Sequence, residues 1–307
     1  MATYSYAECL QNSYRINWKI GDVVDGRRFD ASRPWLPARL SGAGAIVSLS
    51  SQEKTKLTHV EMGAYAHLFG YVEEFIAPKM SELSREFRLE RREVFDALTN
   101  FAAEEVKHMN LFRRLRDRVN GALGFETRLL GDPAATSAYV LSKSNGAVLL
   151  LTACIEWLTQ LHYTEAFTDD GGLDPFTQHV FRAHWLEESQ HAQIDHLETV
   201  RAFAALDAGA RDRAIDDLIE LVGAVDGLLQ KQAAFDVENL ARYLGRTFTP
   251  DDAAEIEAAV LRAKRWTFLE SGVTHPRFQE LFAEVTTPEQ QARVAQALEG
   301  LLAPVAA

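Results

Sequence analysis

Two segments of the chain read FAAEEVKHMNLF (101–112) and HWLEESQHAQIDH (184–196), and each carries Glu-Glu-x-x-His. A glutamate and a histidine three residues apart lie on one face of a helix, so Glu105 with His108, and Glu188 with His191, each set a carboxylate beside an imidazole. The core stripe of the first helix runs Val94, Leu98, Phe101, Glu105, His108, Phe112, Leu115, Val119, in alternating steps of four and three. The corresponding stripe of the second runs Phe181, His184, Glu188, His191, Asp195. Both stripes turn polar where apolar contact is expected. A buried carboxylate or imidazole without a partner is costly, and a metal ion is the partner that accepts both.

Chance supplies about one Glu-x-x-His in a chain of this composition, so the motif by itself decides nothing. Its repetition carries more weight. Glu104 to Glu187, Glu105 to Glu188 and His108 to His191 are each separated by 83 residues. The same offset pairs Glu73 in YVEEF with Glu156 in CIEWL. Glu73 falls on the stripe Met62, Ala66, Phe69, Ile76, Met80, and Glu156 on Leu149, Ala153, Gln160, Tyr163. Glu74 has a small and polar face of its own (Gly63, His67, Gly70, Ala77, Ser81), so Glu73 is the preferred ligand of that pair. Each half thus offers one Glu and, 32 residues later, a Glu-x-x-His. Together they supply four carboxylates and two imidazoles, enough to neutralise two divalent cations, and the donor set suits iron or manganese better than zinc or copper.

Positioning such a set calls for four long helices facing one another. Helical periodicity runs from about residue 52 almost to the end, with no strand-like alternation. It predicts helices at about 52–86, 90–119, 138–167, 175–206 and 212–243, followed by two or three shorter ones. Asp174-Pro175, Thr249-Pro250 and Thr287-Pro288 each place a capping side chain before a proline suited to a first turn. Residues 1–50 hold Trp18, Trp35 and several glycines without a sustained period, and read as an irregular arm. The expected architecture is all-α and a single domain: arm 1–50, four-helix bundle 52–206 and flanking helices 212–303.

A net charge of −12 argues against nucleic acid or an anionic membrane as partner, since both need a basic face. The most apolar run, AVLLLTACIEWL (147–158), is too short for a bilayer and contains Glu156. No secretory signal is evident at the N-terminus, so cytoplasm is the expected location. Cys9 and Cys154 form no Cys-x-x-Cys pair, which removes a built-in iron–sulfur module. His67, His162, His179 and His196 lie off the ligand stripes and read as surface or structural residues.

With these residues in place, the chain resembles the ferritin-like diiron carboxylate superfamily over about 52–206. Glu73, Glu105, His108, Glu156, Glu188 and His191 match its six-ligand pattern. In the diiron oxygenases of similar motif, the acidic residue before the ligand glutamate reaches the histidine of the opposite half. That implies Glu104 with His191 and Glu187 with His108. Asp195, four residues after His191, is a rival, and ordinary helix-surface charges are the plain alternative. His184 has Phe101 as its counterpart and completes His-x-x-x-Glu-x-x-His, which is similar to the arylamine (p-aminobenzoate-type) N-oxygenase family, where the extra histidine is a seventh ligand. A core histidine merely near the site is the other reading.

What the resemblance implies is an O2-activating non-haem diiron oxygenase or oxidase acting on a small organic substrate, with N-oxygenation of an aryl amine as the specific expectation. Two Fe ions, or Mn or mixed Mn/Fe, would be the cofactor and O2 the co-substrate. No dinucleotide fingerprint is present, so a separate reductase or ferredoxin is the expected electron donor, docked on the acidic surface. The helices after 212 could instead form a homodimer interface. A ferroxidase or peroxide-scavenging ferritin relative is the rival class, and a helical protein with structural ion pairs is the third.

Overall fold

Capping side chains define the helix starts where the sequence marks them. Asp174 accepts from the Thr177 amide at 2.9 Å, Thr249 from Asp252 at 3.1 Å and Thr287 from Gln290 at 3.3 Å. Ser50 and Glu53 close a capping box at the first long helix. The computed structural model describes residues 4–168 and 171–302, and among these it contains helices and no strand. The elements are α1 Tyr6–Ile16, α2 Ile20–Val24, α3 Ala38–Ser41, α4 Ser51–Ser84, α5 Arg92–Leu123, α6 Pro133–Leu141 and α7 Asn145–His162. After a π-helical segment at Tyr163–Phe167 come α8 Pro175–Ala204, α9 Ala208–Leu244 and α10 Pro250–Arg265. A second π-helical segment, Trp266–Glu270, leads into α11 Ser271–Thr274, α12 Pro276–Val285 and α13 Pro288–Leu302.

The bundle is α4, α5, α7 and α8, with α4 packed chiefly on α5 and α7 on α8. Glu and Glu-x-x-His project inward from facing helices, the ferritin-like arrangement of an all-α bundle. Gly70 shows how closely α4 and α5 approach, since a Cβ there would lie 3.3 Å from the Cβ of Phe112. The small face of α4 noted in the sequence is therefore a helix contact. Pro78 interrupts α4 and removes one backbone donor; the Ser137 hydroxyl donates to the freed Glu74 carbonyl at 2.8 Å.

Two expectations are corrected. The helix anticipated at 138–167 is divided. Asp132, at φ 57°, caps a separate α6, and α7 starts only at Asn145. The arm is more regular than expected, because Ser5 accepts from the Glu8 amide and starts α1, which packs on α5 and α8. The larger of two apolar clusters runs from Tyr6 through the bundle to Val294, and a smaller one joins Ile46 and Leu57 to Leu240 and Ile256. No helix among the described residues is long and apolar enough to cross a membrane.

Candidate dimetal centre

The four bundle helices bring the two Glu-x-x-His motifs face to face. Each motif spans less than one helical turn, so its Glu and His project to the same level of the bundle. Glu73, Glu105, His108, Glu156, His184, Glu188 and His191 are all buried, none more than 3 % exposed. Two groups of donors emerge: Glu73, His108, His184 and Glu188, and Glu105, His108, Glu188 and His191, each able to offer ligand atoms within 4.8 Å of one another. His108 and Glu188 belong to both. Glu156 joins neither group, although it is buried beside them and burial, with Glu188 and Glu105 nearby, raises its carboxyl well above the usual range.

His191 Nδ1 lies 2.7 Å from Glu105 Oε1 and 2.5 Å from Glu188 Oε2. His108 Nδ1 is 2.9 Å from Glu188 Oε1. His184 Nε2 touches Glu188 and lies 3.5 Å from Glu73. Despite these contacts, both oxygens of Glu73 and of Glu105, Nδ1 of His108 and both ring nitrogens of His184 lack a hydrogen bond of acceptable geometry. Buried polar atoms are nearly always satisfied, so a converging set of orphaned donors and acceptors needs a cation. The electrostatics agree. Burial alone would push Glu188 up, but His184, His108 and His191 hold it well below the usual carboxylate range. Burial would push His108 and His191 down, yet Glu188 and its neighbours hold both well above the ordinary imidazole value. The carboxylates demand positive charge at this point. The donor set fits two divalent metal ions.

The outer nitrogens are spoken for. His108 Nε2 meets Glu187 Oε2 at 2.9 Å, and His191 Nε2 meets Glu104 Oε2 at 3.0 Å. An outer carboxylate fixes the tautomer, leaves Nδ1 with its lone pair toward the centre and strengthens it as a ligand. Asp195, the rival, is buried and makes no hydrogen bond to either histidine; burial raises its carboxyl well above the usual range. Glu74 points away from the centre and pairs with Arg113 at 2.7 Å.

Several contacts around the centre carried no sequence signal. Lys107 binds Glu187 and sits 4.3 Å over the Trp18 ring, which itself stacks on His108 with centroids 5.8 Å apart. The Ser13 hydroxyl donates to Glu104 and accepts from Asn100 Nδ2 at 2.7 Å. Phe101, the counterpart of His184, stacks on His191 at 3.9 Å. Phe69 and Phe112 pack edge-on to His184. His162 is buried rather than superficial, and it bonds the Tyr65 hydroxyl at 3.0 Å and that of Ser271 at 2.8 Å. His67 binds the Leu130 carbonyl at 2.8 Å. Periodicity locates a residue on a face of its own helix, but which distant residue meets it depends on the folded arm.

Residues 7–228, more than two thirds of the chain, match the family described as p-aminobenzoate N-oxygenase AurF. The chain belongs to the p-aminobenzoate N-oxygenase AurF family. As a member it is an oxidoreductase, an oxygenase that acts on a small substrate, and the buried Glu/His cluster is suited to a dimetal site. Among solved structures the chain is similar to an R2-like ligand-binding oxidase with an aerobically reconstituted Mn/Fe cofactor, at 15% identity and TM-score 0.46, covering 92% of this chain and 93% of that one. A mutant of an R2-like ligand-binding oxidase with a non-activated Mn/Mn cofactor is similar at 14% identity and TM-score 0.46, with the same coverage of 92% and 93%. That likeness is loose, and the family assignment does not depend on it. No curated protein matches the chain.

Proposed function

We propose that this chain is a diiron N-oxygenase acting on an aryl amine. In this reading Glu73, Glu105, His108, Glu156, His184, Glu188 and His191 hold the two metals, His184 being the seventh ligand. The observation that carries it is the pair of overlapping four-residue groups in which the buried carboxylate oxygens of Glu73 and Glu105, Nδ1 of His108 and both ring nitrogens of His184 have no hydrogen-bond partner. The matched family is named for N-oxygenation of p-aminobenzoate, which supports an aromatic amine as substrate. When bound, a pair of ferrous ions supplies the Lewis acidity and electrons for O2 reduction and oxygen transfer to nitrogen.

The protein's own share is positioning and exclusion of water. Glu187 and Glu104 each hold a proton on Nε2 of the opposite histidine. Trp18 and Phe101 cover those two rings, while Phe69 and Phe112 close the side of His184. Iron is preferred over manganese because the reaction draws on ferrous reducing power. Electrons then come from outside. Both cysteines are buried and free, so an external reductase or ferredoxin is the donor we infer, docked on the acidic surface. The helices after residue 212 bury Ile215, Leu218, Leu221 and Leu229 within the chain itself. A homodimer through them has correspondingly less apolar surface to bury. The core shared from Tyr6 to Val294 supports reading the chain as one domain.

The test is metal content after anaerobic reconstitution with iron, followed by the optical spectrum on mixing the ferrous protein with O2. About two irons per chain and a transient absorption change are expected. Less than about one metal per chain would overturn the reading.

A further inference from the structure

Away from the dimetal centre, the bundle and its flanking helices enclose a second group of charges. Glu61 of α4, Asp236 of α9 and Lys264 of α10 meet between these helices, and none of them is more than 3 % exposed. Lys264 Nζ donates to Glu61 Oε2 at 2.6 Å and lies 2.9 Å from Asp236 Oδ2. Gln232 Nε2 donates to Asp236 Oδ1 at 2.8 Å, and Gln232 Oε1 accepts from the Leu130 amide at 3.0 Å. Leu57, Leu240 and Val260 stand one turn from Glu61, Asp236 and Lys264 respectively, and belong to the smaller apolar cluster, so the charges lie in hydrocarbon.

These charges do not balance. Two carboxylates face one ammonium, and an excess negative charge in a dry interior is costly. Among the described residues the neighbouring charges are engaged elsewhere. On α4, His67 is bonded through Nε2 to the Leu130 carbonyl, and burial holds it below the ordinary imidazole value, so it stays neutral. Arg116 of α5 faces His67 and lies 3.6 Å from Asp117. Arg265 of α10 is paired with Asp226, Arg39 of α3 with Glu165, and Arg128 before α6 with Glu238. Two oxygens of the cluster, Glu61 Oε1 and Asp236 Oδ2, also lack a hydrogen bond. One proton removes both faults. Held on Glu61 Oε1 and donated to Asp236 Oδ2, it satisfies the two orphaned oxygens with a single bond and makes the cluster neutral. The electrostatics agree, since burial, and then the charge of Asp236, raise the Glu61 carboxyl well above the usual range against the pull of Lys264.

We propose that Glu61 carries this proton and shares it with Asp236, so that the cluster is a proton-held clamp that fastens α9 and α10 to the α4 wall of the bundle and slackens as pH rises. Loss of the proton restores the buried negative charge, which is relieved when the helices part and admit water. The clamp bears on the bundle from two sides. Glu61 shares α4 with Glu73, and Lys264 stands two residues before the π-helical segment whose Phe268 packs on Phe69 of α4, with centroids 5.8 Å apart. It uses no metal ligand, and it stands or falls independently of the N-oxygenase reading.

The test is urea denaturation of the 307-residue chain, in one metal state throughout, at a series of pH values from about 5.5 to about 7, for the wild type, Glu61→Gln and Asp236→Asn. Either substitution leaves one carboxylate to one ammonium and puts an N–H where the proton stood. A carboxyl raised in the fold is protonated there while the unfolded chain has released its proton, so stability is lost as pH rises from the unfolded value towards the folded one. Lys264, itself raised, is charged in both states across this range and adds no slope. Relative to either variant, the wild-type unfolding constant should therefore rise about tenfold per pH unit. Amide exchange in α9 and α10 should quicken with pH beyond its intrinsic change in the wild type alone. The infrared difference between the wild type and Glu61→Gln at about pH 6 should show a protonated carboxyl. Parallel pH profiles in the wild type and both variants would overturn the proposal, because the cluster would then be a fixed ion pair; an ionised carboxylate in the difference spectrum would do the same.

Discussion

Around His108 the outer nitrogen meets Glu187, which Lys107 also holds from a perch over Trp18; around His191 it meets Glu104, which is held by the hydroxyl of Ser13. The backbone plan is shared, with Glu73, Glu105 and His108 repeated as Glu156, Glu188 and His191 at an offset of 83 residues. The substituents are not. Position 184 is histidine where position 101 is phenylalanine, and Lys107 stands where the other half has Gln190. On the His108 side a carboxylate is balanced by a cation and the extra imidazole of His184 points at the shared Glu188. On the His191 side a carboxylate is held by a neutral hydroxyl and the Phe101 ring covers the imidazole. The repeated helices therefore supply a symmetric Glu/His frame, and the arm together with a few changed positions makes its two sides inequivalent.

The largest break in the comparison comes from removing a ligand common to the frame. Glu105→Ala or His191→Ala should lower bound metal from about two ions per chain to well under one while far-ultraviolet dichroism stays that of the wild type. Metal retained in full by both variants would mean that the frame is not the site. His184→Ala removes the asymmetric imidazole alone. Both ions should remain, with the rate of the ferrous protein's reaction with O2 changed by about tenfold in stopped-flow absorbance; an unchanged rate would return His184 to the status of a core residue. The outer carboxylates give a graded test. Removing such a partner ordinarily costs about 10–100-fold in metal affinity. Glu187→Gln should fall at the upper end, because Lys107 then stands uncompensated near the metals, and Glu104→Gln at the lower end, because Ser13 is neutral. Competition with a chelator would show the order, and a reversed order would sink the argument from Lys107.

The frame was legible in the sequence because its signal is local. Glu105, His108, Glu188 and His191 announce themselves by interrupting apolar stripes, and Glu73 and Glu156 by sharing the repeat. The crossed pairing of Glu104 with His191 and of Glu187 with His108 was suggested by resemblance, and the geometry contains both contacts. What escaped were partners supplied at long range. Ser13 lies 91 residues from Glu104, and Trp18 is brought to His108 by an arm whose composition shows no period. The break between α6 and α7 also escaped, because only the short turn at 142–144 separates the two helices. The partners of His162 are equally silent in the sequence, because periodicity says nothing of the residues that α11 brings over it.

His162 gives the smallest effect, and it extends the comparison beyond the ligands. The repeat pairs it with Lys79, each residue lying six positions past its half's single glutamate. Both are buried, but Lys79 is paired with Glu82 and bonded to Asn145, whereas His162 lies among Tyr65, Ser271 and Trp266 with no carboxylate beside it among the described residues. Burial accordingly pushes the His162 imidazole down from 6.5 to about 3. Between those values the unfolded chain takes up a proton that the folded chain refuses, so His162 contributes its full stability above pH 6.5 and loses it as pH falls toward 3. The slope is about 1.4 kcal/mol per pH unit for a single group. Urea denaturation of the metal-free protein between pH 6.5 and 5, wild type against His162→Gln, isolates that term from the carboxylates, which titrate in both. The wild type should lose about 2 kcal/mol more than the variant over this interval. Equal slopes would mean that His162 is protonated inside the fold and that the two halves agree, at this position, in burying a charge.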